Sequence, residues 1–292
     1  MYPSADIAAD RTTCGRPSAT SGTDTSPPDI LQSNLAGTVG SGAMAWAGLR
    51  LSITLLTAVP LPGGPADAPG RRTAAAAIYW APVVGLVLGG VAAGVLLACR
   101  AGHTGPLLAA VLAVAVLAGL TRGLHLDGLA DLADGLGSRR PAEQALDIMK
   151  QSDIGPFGVV TLVLALLIQV SALARAEQLG RGPLAVVAAA VAARLAVMLA
   201  CRRGVPAARP GGLGALVAGT VRPLLGAALA IAAIGSAAVL GWIYAVAIAA
   251  GLAASLALTA LAVRRLGGIT GDVLGAIAET TMAACLLFSL IR

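Results

Sequence analysis

The sequence predicts an all-α protein: a polytopic transmembrane helical bundle of about seven or eight spans behind a disordered N-terminal tail. Three observations lead there. Of 292 residues, 57% are hydrophobic and only 12% charged, with a mean hydropathy of +0.86, whereas a soluble domain runs near half apolar and a quarter charged. The apolar residues fall into runs near the length a helix needs to cross the hydrocarbon core, about 20 residues. Gly is abundant, at 37, while aromatics make up 3%. Small residues let helices approach closely where lipid removes the hydrophobic drive between them.

Taken in order, residues 1–41 are rich in Ser, Thr, Pro, Asp and Gly and lack a long apolar run. Such a segment buries too little apolar surface to offset chain ordering, so it is expected to be a disordered extension. It has no charged-then-apolar start of the signal-peptide kind. Residues 42–292 are expected to form one membrane-embedded domain, which carries any catalytic site. Its expected spans are 43–61, 74–99, 106–126, 157–174, 184–201, 223–240, 242–263 and 271–291. The first carries Arg50 and ends at Pro60 and Pro62, so it either spans or lies at the interface. Little but Gly241 separates the sixth and seventh. The GGVAAG at 89–94 and the Gly119/Gly123 pair read as helix-packing signals. They do not follow strands, as phosphate loops do.

The net charge is +6. Its basic residues sit between apolar runs, where topology signals sit, so nucleic acid is not an expected partner. If all eight runs span, one side holds twelve of the basic residues (Arg71, Arg72, Arg122, Arg139, Arg140, Lys150, Arg202, Arg203, Arg209, Arg222, Arg264 and Arg265) against six on the other. The richer side is expected to be cytoplasmic. Cys14, Cys99, Cys201 and Cys285 contain no CxxC pair and read as ordinary thiols.

The chemistry concentrates on that richer side. Thr121 to Gly137 reads TRGLHLDGLADLADGLG. On a helix Asp127, Asp131 and Asp134 fall within a sector of roughly 60°. Three carboxylates on one stripe at a membrane boundary repel one another and are costly near lipid. A divalent cation relieves both costs, and oxygen-only ligands suit magnesium, manganese or calcium better than zinc. Gly128 and Gly135 leave room for a ligand, or loosen the helix, beside the carboxylates. A second motif, GGITGDVLGAIAE at 267–279, puts Asp272 and Glu279 seven residues apart on one helical face, with Gly275 and Ala276 keeping it open. Asp272 is either an N-cap or part of the same site, which then holds up to five carboxylates. Between the motifs, 141–150 forms a short amphipathic helix with Ala145, Ile148 and Met149 on its apolar side. Lys150, Ser152 and Asp153 follow it. Lys150 and the nearby Arg122, Arg139 and Arg140 are either phosphate ligands or topology charges. His125 points away from the aspartate stripe, toward substrate or its own local partner. His103 has no assigned role.

HLDGLADLADG, IMKQSDIGPFG and GGITGDVLGA, in this order and spacing, resemble the cobalamin synthase family, the adenosylcobinamide-GDP ribazoletransferases, from about residue 43 to the C-terminus. The middle motif departs from the commoner family form: Gln151 stands where that form has an acid, and Asp153 where it has a base. The resemblance implies a bacterial membrane enzyme that needs magnesium and joins adenosylcobinamide-GDP to α-ribazole or α-ribazole 5'-phosphate, releasing GMP. Asp127, Asp131, Asp134, Asp272 and Glu279 are then the metal set, the first four also the catalytic set with one carboxylate, Asp134 the first candidate, taking the hydroxyl proton, and Arg122, His125, Lys150, Ser152 and Asp153 the substrate-binding set. Self-association into a homo-oligomer stays open. Two other classes share some of these features. The CDP-alcohol phosphotransferases place their first acids in a pattern containing Asp-Gly-x-x-Ala-Arg, whereas Ala130 here is followed by Asp131. A transporter carries acids near mid-span and shows paired repeats; here the acids sit at span ends.

Overall fold

The computed structural model describes residues 30–57 and 70–291, with side chains from Gly42 onward. The described residues form eleven helices and two isolated bridges, with no strand among them. They are α1 (Ile30–Leu56), α2 (Arg71–Ala101), α3 (Pro106–Leu120), α4 (Leu124–Gly137), α5 (Ala142–Ile148), α6 (Pro156–Gln178), α7 (Gly182–Ala200), α8 (Gly212–Val217), α9 (Pro223–Leu240), α10 (Trp242–Leu266) and α11 (Gly271–Phe288). Helix α1 starts inside the stretch expected to lack order; residues 1–29 of that stretch lie outside the described residues.

Six helices are long and apolar enough to cross a membrane: α2, α6, α7, α9, α10 and α11. The α3–α4 pair makes up to seven if it counts as one broken span. Pro at the first or second position opens α3, α6, α7 and α9, where its fixed φ suits a helix start and its missing N–H costs nothing.

Helix α7 is the central post. About 67% of its most apolar stretch is buried, against 11% for α9 on the outside. Its buried face is mostly alanine (Ala185, Ala189, Ala192, Ala193, Ala196 and Ala200), so neighbours reach its backbone. Helix α2 comes closest through two glycines. A Cβ at Gly85 would stand 2.6 Å from the Ala190 carbonyl, and one at Gly89 would stand 2.8 Å from Val187 Cα. Gly89 thus serves packing as its motif suggests, but Gly90 and Gly94 face open space. Gly119 and Gly123 also meet nothing, so that pair is not a packing seam. At one end of the bundle Arg100 on α2 pairs with Glu177 on α6 at 2.7 Å.

The opposite end is tied by its loops. Arg71 Nη2 donates to the Ala218 carbonyl at 2.7 Å, and Tyr79 Oη accepts from Arg222 N at 2.8 Å. The connection from α7 to α9 folds back through paired bonds: Arg203 N to Val221 O at 2.9 Å and Val221 N to Cys201 O at 3.1 Å. A second pair, Ala208 N to Ile269 O at 3.0 Å and Ile269 N to Pro206 O at 2.9 Å, lays residues 206–208 along the approach to α11. Cys99, Cys201 and Cys285 are free thiols.

The adjacent glycines of α2 give a direct test of this packing. Gly89→Val forces a side chain onto α7 and should cost about 1–3 kcal/mol, lowering the thermal midpoint of the detergent-solubilised protein by several degrees. Gly90→Val should leave the midpoint unchanged. Equal midpoints in a thermal melt would contradict the α2–α7 contact.

Candidate active site

The expected span 106–126 is broken. Helix α3 stops at Leu120, and α4 leaves at 88° to it. Arg122 and Gly123 take left-handed conformations, with φ of 54° and 68°. Their N–H groups close off the end of α3 on Gly119 O at 3.0 Å and Ala118 O at 2.8 Å, and Thr121 Oγ1 donates to Leu117 O at 3.0 Å. The turn leaves few backbone groups unpaired, which is what a break at membrane depth requires. Asp127 then lies in the first turn of a new helix, where the helix dipole favours an anion.

Helix α4 crosses α11 at two glycines. A Cβ at Gly128 would stand 2.8 Å from Asp272 Cα, and one at Gly275 would stand 3.1 Å from His125 Cα. Neither glycine leaves room for a ligand or keeps a face open, as the sequence suggested; each seats the other helix's backbone. Gly135 is likewise filled by the side chain of Met149 and Gly137 by the Phe157 ring. The crossing sets Asp272 beside the aspartate stripe: Asp127, Asp134 and Asp272 all lie within electrostatic reach of Asp131. Asp272 is not the N-cap of α11. Thr270 holds that place, accepting from Val273 N at 3.2 Å, and its hydroxyl donates to Asp272 Oδ2 at 3.2 Å.

Asp134 is differently engaged. Its Oδ2 accepts from Gly155 N at 2.8 Å and its Oδ1 from Gly158 N at 2.9 Å, so it caps the first turn of α6. A side chain at either glycine would collide with that carboxylate. Glu279 leaves the group. Seven residues along α11 is about 10 Å along the axis, and there Gln169 Nε2 donates to it at 2.8 Å while buried Arg194 faces it. The helical face was right, but the depth separates it from the aspartates. Among the described residues no three His, Cys, Asp or Glu side chains stand in coordinating positions as oriented.

A cavity of about 650 Å³ opens beside the stripe, lined by Arg122, Asp127, Asp131, Lys150, Ser152 and Ile154 among others. Lys150 also pairs with Asp147 at 2.9 Å on the exposed rim. Asp153 is exposed and lines none of the cavities described here. Helix α5 packs Ala145, Leu146 and Met149 inward, with Ile148 half-buried. A smaller cavity of about 160 Å³ lies on the other side and takes in His125, Asp127 and Asp272. Asp127 lines both.

Arg209 is the functional candidate that sequence reasoning missed, having counted it only as a topology charge. The 206–208 pairing with Ile269 carries it to the site, where it donates to the Leu146 carbonyl and lies within electrostatic reach of Asp131 and Asp272. No local pattern marks it, since its position comes from that long-range pairing.

Fold and site define an integral membrane protein with an acidic, cation-rimmed centre at one end of the bundle. Residues 48–290 match the family model described as Cobalamin-5-phosphate synthase, and the chain belongs to that family. It is 44% identical over 259 residues to the adenosylcobinamide-GDP ribazoletransferase of Frankia casuarinae, covering 82% of this chain and 92% of that protein. Proteins of the same name from Nocardioides sp. and Chlorobaculum tepidum are each 40% identical, over 83% of this chain and 96% and 94% of their own lengths. No solved structure matches the chain.

The two kinds of aspartate should separate on mutation. Asp134→Ala removes the α6 cap and should cost about 1 kcal/mol of stability, visible as a lower thermal midpoint. Asp131→Ala, which no described hydrogen bond ties to another element, should leave the midpoint near wild type. The reverse order would contradict the capping role.

Proposed function

We propose that this protein transfers the adenosylcobinamide phosphate of adenosylcobinamide-GDP to α-ribazole or its 5'-phosphate, with release of GMP. The observation that carries this reading is the α4–α11 crossing, which sets Asp272 beside the aspartate stripe, while Asp127 and Asp131 line a cavity that Arg122 and Lys150 also line. Family membership and the relatives' names supply the substrates.

The chemistry asks the chain for positioning and charge rather than covalent help. The ribazole ribose hydroxyl attacks the phosphorus that bears the corrinoid arm. One P–O bond forms, the bond to the bridging oxygen breaks, and GMP leaves. Arg122, Lys150 and Arg209 are placed to hold the diphosphate. Asp127, at the junction of both cavities, is placed to accept the hydroxyl proton. Asp134 suits that role less, since backbone N–H groups already occupy both its oxygens.

The donor set fits magnesium: hard carboxylate oxygens and no thiolate. Asp127, Asp131 and Asp272 would hold the ion, with Asp134 adding charge beside them. When bound, magnesium would neutralise the charge that develops on the phosphate of the departing GMP. The end of the bundle that carries Arg71, Arg202, Arg203, Arg209, Arg222, Arg264 and Arg265 is assigned to the cytoplasm, within reach of cytosolic nucleotides.

Purified protein given both substrates and magnesium should release GMP, and Asp131→Ala should reduce turnover by about a hundred- to a thousand-fold while staying folded, the range of a lost charge-stabilising group. Near-normal turnover in Asp131→Ala at limiting magnesium would sink the site. For orientation, Ser138→Cys should react with impermeant thiol reagents only from the cytoplasmic face. Labelling from outside intact cells would overturn the assignment.

A further inference from the structure

The smaller cavity has a chemistry of its own. Its walls are largely apolar, from Leu55, Leu56, Ile78, Val197, Leu213 and Leu274. Two polar side chains also line it, Ser52 and His125, which are only 1% and 6% exposed. Neither Ser52 Oγ nor His125 Nδ1 has a hydrogen-bond partner. A buried polar atom left unpaired costs about 1–3 kcal/mol, and two on one small cavity are a built request for a ligand with matching polar atoms. At its mouth the cavity reaches Asp127 and Asp272.

Size and charge decide between the two substrates. The cavity measures about 160 Å³, close to the roughly 150 Å³ of an apolar cavity that takes up benzene, so it accepts an aromatic ring system. No Lys or Arg is among its lining residues, so a diphosphate gains nothing there. The 650 Å³ cavity is larger, more polar and lined by Arg122 and Lys150. We propose that the small cavity under α1 seats the largely apolar bicyclic base of the ribazole, with Ser52 Oγ donating to its one free ring nitrogen and His125 lining the polar side of the seat, while the larger cavity takes the diphosphate-bearing corrinoid. The two substrates then meet at Asp127, the carboxylate that both cavities share. The ribazole hydroxyl approaches from one side and the phosphorus from the other, the arrangement that direct displacement needs. The His125 backbone is held against Gly275.

This inference rests on the proposed reaction and is tested by splitting the two Michaelis constants. Ala77 also lines the small cavity and is 1% exposed, so Ala77→Leu fills it. That variant should raise KM for α-ribazole by about ten-fold or more while KM for adenosylcobinamide-GDP stays within about two-fold, the loss expected when one buried contact set is removed. Ser52→Ala adds no bulk and should raise the α-ribazole KM by about five- to ten-fold without lowering the thermal midpoint, since it deletes an unpaired group. It carries the test if Ala77→Leu does not fold. Equilibrium dialysis of free α-ribazole against the detergent-solubilised protein should show the same ranking. A shift confined to adenosylcobinamide-GDP, or no shift in either constant, overturns the seat. The two failures read differently: wild-type protein that releases no GMP overturns the reaction, whereas wild-type turnover with an unshifted α-ribazole KM overturns the seat alone.

Discussion

The site depends on the approach of α4 to α11 at Gly128 and Gly275. At these positions each helix presents bare backbone, so the two run closer than any side chain would allow. The contact is reciprocal: Gly128 lies on Asp272, and Gly275 lies on His125. Carboxylates from distant parts of the chain thereby come within electrostatic reach of one another. In a medium of low dielectric that arrangement is strongly repulsive, and close backbone packing must hold it against the repulsion. The helix N-termini and Arg209 offset part of the charge; a bound cation would offset more.

The 88° break makes the crossing possible. A straight continuation of α3 would have carried the stripe on along the axis of the span. Turning at Arg122 and Gly123 instead lays α4 across the end of the bundle, under α11 and against α6. Asp134 then secures the far end of α4 by capping α6, so one acid of the stripe serves the architecture and leaves Asp127 and Asp131 to face the large cavity. The same economy appears deeper in the bundle. Glu279, Gln169 and Arg194 join α11, α6 and α7 through polar contacts around a cavity of about 20 Å³, room for about one water. Arg194 lies within charge reach of both Glu279 and His125, which sets this polar group directly behind the site. Buried pairs of this kind stabilise weakly but are costly to break singly, so they fix how helices sit.

The composition of the helices behind the site follows from their packing. Ala, Gly and Val make up most of α2 and α7, where small side chains let the two backbones approach. Bulkier residues, Leu55, Ile78 and Leu213 among them, form the walls of the smaller cavity.

Composition and run length were enough to predict an all-α membrane bundle, because bilayer thickness imposes a length and an apolarity on every span. Helical periodicity put Asp127, Asp131 and Asp134 on one stripe, since residues three and four apart share a face by local geometry alone. The pairing of that stripe with Asp272 followed from both motifs lying at the same charge-marked end. What periodicity could not give was partners from elsewhere in the chain. Arg122 in a left-handed conformation breaks the third span although its residue type does not demand it. Asp134 is a cap because the N–H groups of Gly155 and Gly158 arrive beside it. Gly128 is empty of ligand because Asp272 fills its space. Glu279 shares a helical face with Asp272 but sits deeper, where Gln169 donates to it and Arg194 faces it. Arg209 joins the site through a loop pairing more than fifty residues along the chain, from Ala208 to Ile269. Each of these depends on backbone atoms brought together by packing, and packing distances are properties of the folded chain rather than of any stretch of it.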